Sequence, residues 1–189
     1  MDGLILAGGK SSRMKGKHKG FLVYENETFM ERLIIEMNIS ADRVWISYGK
    51  ENYGNYDGCA VVTDEYPGCG PMAGIQACLN VCQADAVMVV ACDMPFIKSE
   101  LFTYLYENLG EYDGVVPITK ERIHPLAAIY QKSILPVLTE QLGSGDYRLR
   151  DALKKLNILY LDVSKQEEYL RMLQNINTVE EYQKLLCIH

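Results

Sequence analysis

A chain of 189 residues that is 48% apolar, 23% charged and 10% aromatic is long enough to bury a sizeable core without metal or disulfide staples. That composition excludes a disordered, collagen-like or low-complexity chain. With 25 acids against 19 bases the formal charge is −6, which argues against a protein that coats nucleic acid or an anionic membrane. In chain order, the apolar pattern predicts strands over residues 3–6, 44–47, 60–63, 86–91, 114–117, 127–130 and 158–163. Helical periodicity predicts helices over 28–38, 71–82, 99–109, 133–142, 147–156 and 179–186. Thr28-x-x-Glu31 and Thr178-x-x-Glu181 both have the capping-box spacing, in which a hydroxyl and a carboxylate satisfy free backbone donors at a helix start. The alternation of strand and helix predicts an α/β fold: a three-layer sandwich, a single Rossmann-like domain over 1–189 with a mainly parallel central sheet.

The six cysteines form no CxxC pair, and Cys78 and Cys82, on one helix face, read as small buried thiols rather than half a metal site. The apolar run at residues 4–7 has no basic region before it, and no stretch reaches the roughly 18 apolar residues of a membrane span. The expectation is a soluble, cytoplasmic protein with reduced thiols.

The charge is unevenly spread. Residues 1–24 carry Lys10, Arg13, Lys15, Lys17 and Lys19 against Asp2, a net +4, so residues 25–189 hold −10. The cations follow the first predicted strand, in Leu4-Ile-Leu-Ala-Gly-Gly-Lys-Ser-Ser-Arg-Met14. Paired glycines let backbone N–H groups approach a ligand, and Lys and Arg offset phosphate charge. The segment is neither a dinucleotide G-x-G-x-x-G fingerprint nor a Walker A loop. In an open α/β sheet, ligands bind at the carboxyl ends of the strands near the switch in strand order. Asp93 leaves the most apolar strand there, and a carboxylate in that position suits a hard cation whose shell is completed by phosphate and water.

The LAGG-K-S-S-R-M start resembles the nucleotidyltransferase superfamily, with the nucleotide-diphospho-sugar transferase type of fold. Gly70-Pro-Met-Ala-Gly74, Ala91-Cys-Asp-Met-Pro-Phe96, His124-Pro-Leu and Asn175-Ile-Asn-Thr178 make the chain similar to the molybdenum cofactor guanylyltransferase family. The resemblance implies transfer of GMP from GTP to the terminal phosphate of molybdopterin, with Mg²⁺ as cofactor and release of pyrophosphate. It also implies transient contact with molybdoenzyme apoproteins or their chaperones; the acidic charge balance adds the expectation of no nucleic acid or membrane partner. Residue by residue, it implies that Leu6, Ala7, Gly8, Gly9, Asp64 and Gly70 meet the nucleotide, that Arg13 and Lys19 bind phosphates, and that Asp93 binds Mg²⁺. His124, one of Arg148 and Arg150, Asn175 and Asn177 would meet the acceptor substrate.

Structural alternatives stand beside these roles. Asp64 also suits a capping acid, Gly74 a close helix–sheet approach, His124 a buried structural site, and Asn175 a cap for the last helix. The chain also departs from the family pattern. Lys15 stands beside Gly16, His18 takes an aspartate's position, and Ser47-Tyr48 replaces an expected asparagine. A cytidylyltransferase, a sugar-phosphate nucleotidylyltransferase and a non-catalytic nucleotide carrier therefore remain open readings.

Overall fold

The computed structural model describes residues 1–8, 19–49, 54–120 and 122–187. Its strands are β1 (Asp2–Leu6), β2 (Val23–Tyr24), β3 (Glu27–Thr28), β4 (Val44–Ser47), β5 (Cys59–Val62), β6 (Ala86–Ala91), β7 (Gly114–Ile118), β8 (Ala127–Gln131) and β9 (Ile158–Asp162). The helices are α1 (Phe29–Ser40), α2 (Pro71–Val81), α3 (Ser99–Glu107), α4 (Leu135–Gly143), α5 (Leu149–Leu153), α6 (Glu167–Met172) and α7 (Val179–Leu186). Seven strands form one sheet in the order β5-β4-β1-β6-β8-β7-β9. All neighbours in it are parallel except β8, which is antiparallel to both β6 and β7. The β7–β8 connection, residues 119–126, is shorter than the dozen or so residues that a parallel crossover needs, so the chain turns back on itself.

Alternation along the central strands builds the two faces. Ile5, Met88 and Val90 pack with Leu33 and Met37 of α1 and with Phe102 of α3. Leu4, Leu6, Val87 and Val89 pack with Ile75 and Leu79 of α2 and with Leu138 of α4. Both faces being covered explains why β1 and β6 are buried at every residue, with β6 apolar throughout and β1 apolar after Asp2. Both predicted capping boxes form, at Thr28 and Thr178. No helix among the described residues is long and apolar enough to cross a membrane.

Three elements have no counterpart in the sequence reading. β2 and β3 form a hairpin whose two turn residues, Glu25 and Asn26, both have positive φ, at 52° and 70°. That is the backbone a two-residue hairpin turn demands, supplied here without the usual glycine. Arg32 anchors it from α1, reaching Glu25 Oε2 at 3.1 Å and lying 5.0 Å from the centroid of the Tyr24 ring. The third element, α6, is one short acidic turn-and-a-half with no apolar period of its own. The helix expected over 147–156 contracts to Leu149–Leu153.

A small separate apolar cluster sits beside the main core. Leu22, Tyr24 and Phe29 meet Ile176 and Leu185, with Tyr182 edge-on to Phe29 at 6.2 Å. This cluster folds the C-terminal segment back onto the segment that follows the first loop. Residues remote in sequence thereby meet at one end of the sheet.

Candidate functional site

The strand order reverses direction at β1: β4 and β5 lie to one side, β6 to the other. The crevice outside the carboxyl ends of β1 and β6 is therefore the switch point. Asp93, just after β6, stands there with Lys19, which lies in a 3-10 turn over Lys19–Phe21. Lys19 Nζ donates to Asp93 Oδ2 at 2.8 Å and to Asn177 Oδ1 at 2.7 Å. Asn175 Nδ2 donates to Asp93 Oδ1 at 2.8 Å, and the backbone N–H of Ile176 donates to the Asp93 carbonyl at 2.8 Å. One half-buried ion pair is thus closed by two amides from the segment before α7. The chemistry of the partners fixes both amides: a lysine only donates and a carboxylate only accepts. Asn177 must present its oxygen to Lys19, and Asn175 its amino group to Asp93. Asn177 Nδ2 has no acceptor among the described residues and is available to a ligand.

Arg122 is the residue the sequence motifs underweighted. Its guanidinium donates to Asn175 Oδ1 at 3.3 Å and to the Leu173 carbonyl at 3.4 Å, holding the amide that faces Asp93. Its neighbour His124 turns inward. The His124 ring is buried, 3.3 Å from Thr119 Oγ1, and burial with the nearby Arg122 charge lowers its pKa to about 4. The His-Pro motif does mark this corner of the site, but it is the arginine two residues earlier that touches the network.

A second group lies at the carboxyl ends of β4 and β5. Ser47 Oγ donates to Asp64 Oδ1 at 2.8 Å, and both side chains are buried. Burial raises the Asp64 pKa, partly opposed by the Ser47 hydrogen bond. Ala7 N–H donates to the Ser47 carbonyl at 2.7 Å. A Cβ on Gly8 would sit 3.1 Å from Tyr48 and Gly49 backbone atoms, and Gly49 has φ +74°, so the two loops touch through glycine. Gly74 is a close-approach glycine: a Cβ there would come within 2.6 Å of Ser47 Oγ and 2.7 Å of Leu6 Cδ2. Gly70, the N-cap of α2, has φ +79° and open space around it.

Of the remaining predicted residues, Gly9 and Arg13, with Lys15 and His18, lie outside the described residues. Arg148 is exposed and already paired, its Nε 3.0 Å from both Asp146 Oδ1 and Asp151 Oδ2. Cys78 is buried and Cys82 caps α2; among the described residues no group of three metal-ligating side chains occurs.

The MobA-like NTP transferase domain model matches residues 3–159. A probable molybdenum cofactor guanylyltransferase of Clostridium perfringens is 38% identical over 189 residues, covering 96% of this chain and 94% of that protein. The crystal structure of molybdopterin-guanine dinucleotide biosynthesis protein A from Archaeoglobus fulgidus matches with a TM-score of 0.85 at 25% identity, covering 100% of this chain and 98% of that one. A 2-C-methyl-D-erythritol 4-phosphate cytidylyltransferase from Thermus thermophilus matches with a TM-score of 0.74 at 14% identity, a likeness of fold. Asn175 and Asn177 fall beyond the span of the domain model.

Proposed function

The chain belongs to the MobA-like NTP transferase family, and from that premise we propose that it transfers GMP from GTP to the terminal phosphate of molybdopterin. An acceptor phosphate oxygen attacks the α-phosphorus of GTP. The bond from that phosphorus to the bridging oxygen breaks, and pyrophosphate carries away the electron pair. Such a reaction asks the protein for positioning and charge neutralisation rather than for a nucleophile of its own. The observation that carries this reading is the closed group Lys19, Asp93, Asn175 and Asn177 at the switch point.

Lys19 uses two donors inside the protein and keeps a third for a phosphate oxygen. Arg13 and the backbone at Gly8 and Gly9 belong to the same phosphate-binding role. Asn177 Nδ2 faces a substrate acceptor. Asp93 offers one hard carboxylate, a donor set that fits Mg²⁺, which takes one or two carboxylates and completes its shell with phosphate and water. When bound, the ion neutralises charge on the phosphate oxygens. In this reading Asp64 and Gly70 meet the nucleoside, and Arg122, bonded to Asn175 Oδ1, orients that amide.

The test is GTP-dependent formation of the guanine dinucleotide from molybdenum-loaded molybdopterin, with pyrophosphate release measured in parallel. Asp93→Ala is expected to lose about 10²–10³-fold in turnover, the scale for removing one preorganised electrostatic group. No product from the unaltered protein, or undiminished turnover in Asp93→Ala, contradicts the proposal. GTP binding without pyrophosphate release in the presence of acceptor favours the carrier reading instead.

A further inference from the structure

The base end of the crevice has a device that the family resemblance does not describe, because Ser47 stands where an asparagine was expected. Ser47 is the last residue of β4, 2% exposed, and its hydroxyl is confined from two sides. Asp64 Oδ1 takes its hydrogen at 2.8 Å, and α2 presses on it through Gly74, where any side chain would strike Ser47 Oγ. Asp64 Oδ2 has no donor among the described residues. It lies 4.0 Å from where a Cβ on Gly49 would stand, and Gly49 in turn lies against Gly8. One carboxylate oxygen is thus held by the fold, while the other, without a donor among the described residues, lies beside Gly49, where the two glycine-bearing loops meet.

We propose that Ser47 sets the base preference of the site. By donating to Oδ1 it keeps Asp64 an acceptor-only carboxylate, complementary to the adjacent N1–H and N2–H donors of guanine. Adenine presents an acceptor at N1 beside its N6 donor, so the same carboxylate repels it. This inference rests on the reading of the crevice as a nucleotide site.

The chemistry depends on which form Asp64 takes. An ionised carboxylate only accepts; a protonated one gains an O–H donor and becomes complementary to adenine's edge instead. Burial favours the protonated form and the Ser47 hydrogen bond opposes it. Among the described residues no charged group acts on Asp64. Adjacent Glu65 is turned to Gln76 and Asn80, both at 2.9 Å. Tyr48 donates to the Gly54 carbonyl and, its pKa pushed up to about 12, stays neutral. Leu6 of β1, Ala7 and Gly8 just after it, and Gly74 of α2, which lie against Ser47 and the loop after it, do not titrate. Removing the hydroxyl therefore moves Asp64 protonation to higher pH, and with it the pH at which guanine preference fails.

The experiment is calorimetric binding of GTP and of ATP, without acceptor, to the unaltered protein, Ser47→Ala and Asp64→Asn between pH 5.5 and 8. The unaltered protein is expected to prefer GTP throughout. Ser47→Ala should match it at pH 8 and lose about tenfold or more of the preference toward pH 5.5. Asp64→Asn, whose amide carries a donor and an acceptor at any pH, should show little preference at either end. A Ser47→Ala profile superimposable on that of the unaltered protein overturns the inference alone, as does an Asp64→Asn variant that still favours GTP tenfold. If neither nucleotide binds the unaltered protein, the nucleotide-site reading falls and the inference with it. Melting curves for each variant separate loss of preference from loss of fold.

Discussion

The two aspartates of the crevice sit at the ends of strands separated in the sheet only by β4 and β1, yet they are held in opposite ways. Asp93 is matched by a full positive charge and an amide, both of its oxygens taken by donors from residues 74 and 82 positions away. Asp64 is buried, its one donor among the described residues is a neutral hydroxyl, and Gly49 lies beside its other oxygen. The first arrangement suits an end where ionic charge arrives with phosphates. The second suits an end where a neutral ring must be recognised by the pattern of its hydrogens. Charge neutralisation and pattern matching need different surroundings; the Asp93 group is drawn from the end of β6, the turn at Lys19 and the segment before α7, the Asp64 group from the ends of β4 and β5.

That contrast breaks most sharply at the two asparagines, which look alike in sequence but play opposite parts. Asn175 donates to Asp93, so Asn175→Asp loses the donor and sets two carboxylates together. Asn177 accepts from Lys19, so Asn177→Asp keeps an acceptor and adds attraction. Steady-state assays should show Asn175→Asp falling about 10–100-fold in kcat/KM, the scale for groups that orient a charged ligand site, with Asn177→Asp the milder of the two. Equal losses would mean that the amides act only through their bulk.

Gly74→Ala tests the other end alone. The new methyl meets Ser47 Oγ at 2.6 Å and Leu6 Cδ2 at 2.7 Å, and overpacking of this kind costs about 1–3 kcal/mol in denaturant unfolding. Its functional effect should fall on base preference and spare the response to Mg²⁺. Thr178→Ala removes one half of the capping box on α7 and should cost about 1 kcal/mol, with a smaller loss of turnover than either asparagine change.

The last test concerns pH. His124 has a folded pKa of about 4 against an ordinary 6.5, so between those values the unfolded chain holds the extra proton. Its contribution is fully present above about pH 6.5 and declines as pH falls toward 4. Asp64, with a raised folded pKa, works in the opposite sense, gaining a proton on folding at mildly acidic pH. Unfolding of His124→Gln across pH 4–7 should therefore show a flatter acid limb than that of the unaltered protein.

Much of this was legible in the sequence because the signals were local. β6 announced itself as a continuous apolar run and β1 was predicted over residues 3–6, and both capping boxes were readable from four-residue spacings. The Asp93 and Asn175–Asn177 motifs were visible as motifs. What joins them was not, since the Lys19–Asn177 bond spans 158 positions and depends on Leu22, Phe29 and Leu185 packing together. The β2–β3 hairpin escaped because its turn uses Glu25 and Asn26 where glycine would have given it away. Ser47 read as an absence of asparagine; its hydrogen bond to Asp64 appears only when β4 and β5 are side by side. Arg122 had no spacing to betray it, because its partner Asn175 lies 53 positions on.

The folding back of α7 also has a consequence in time. On a ribosome, Lys19 and Asp93 are made well before the amides that close over them, and Asn175 follows Asp93 by 82 positions. At about 5–20 residues per second that gap lasts roughly 4–16 s. During this interval the nascent chain holds its lysine and carboxylate without the clamp that orients them. Assembly of the group therefore waits until Leu185 has been made and can reach Leu22 and Phe29; before that point the chain carries Lys19 and Asp93 without the packing that closes the amides over them.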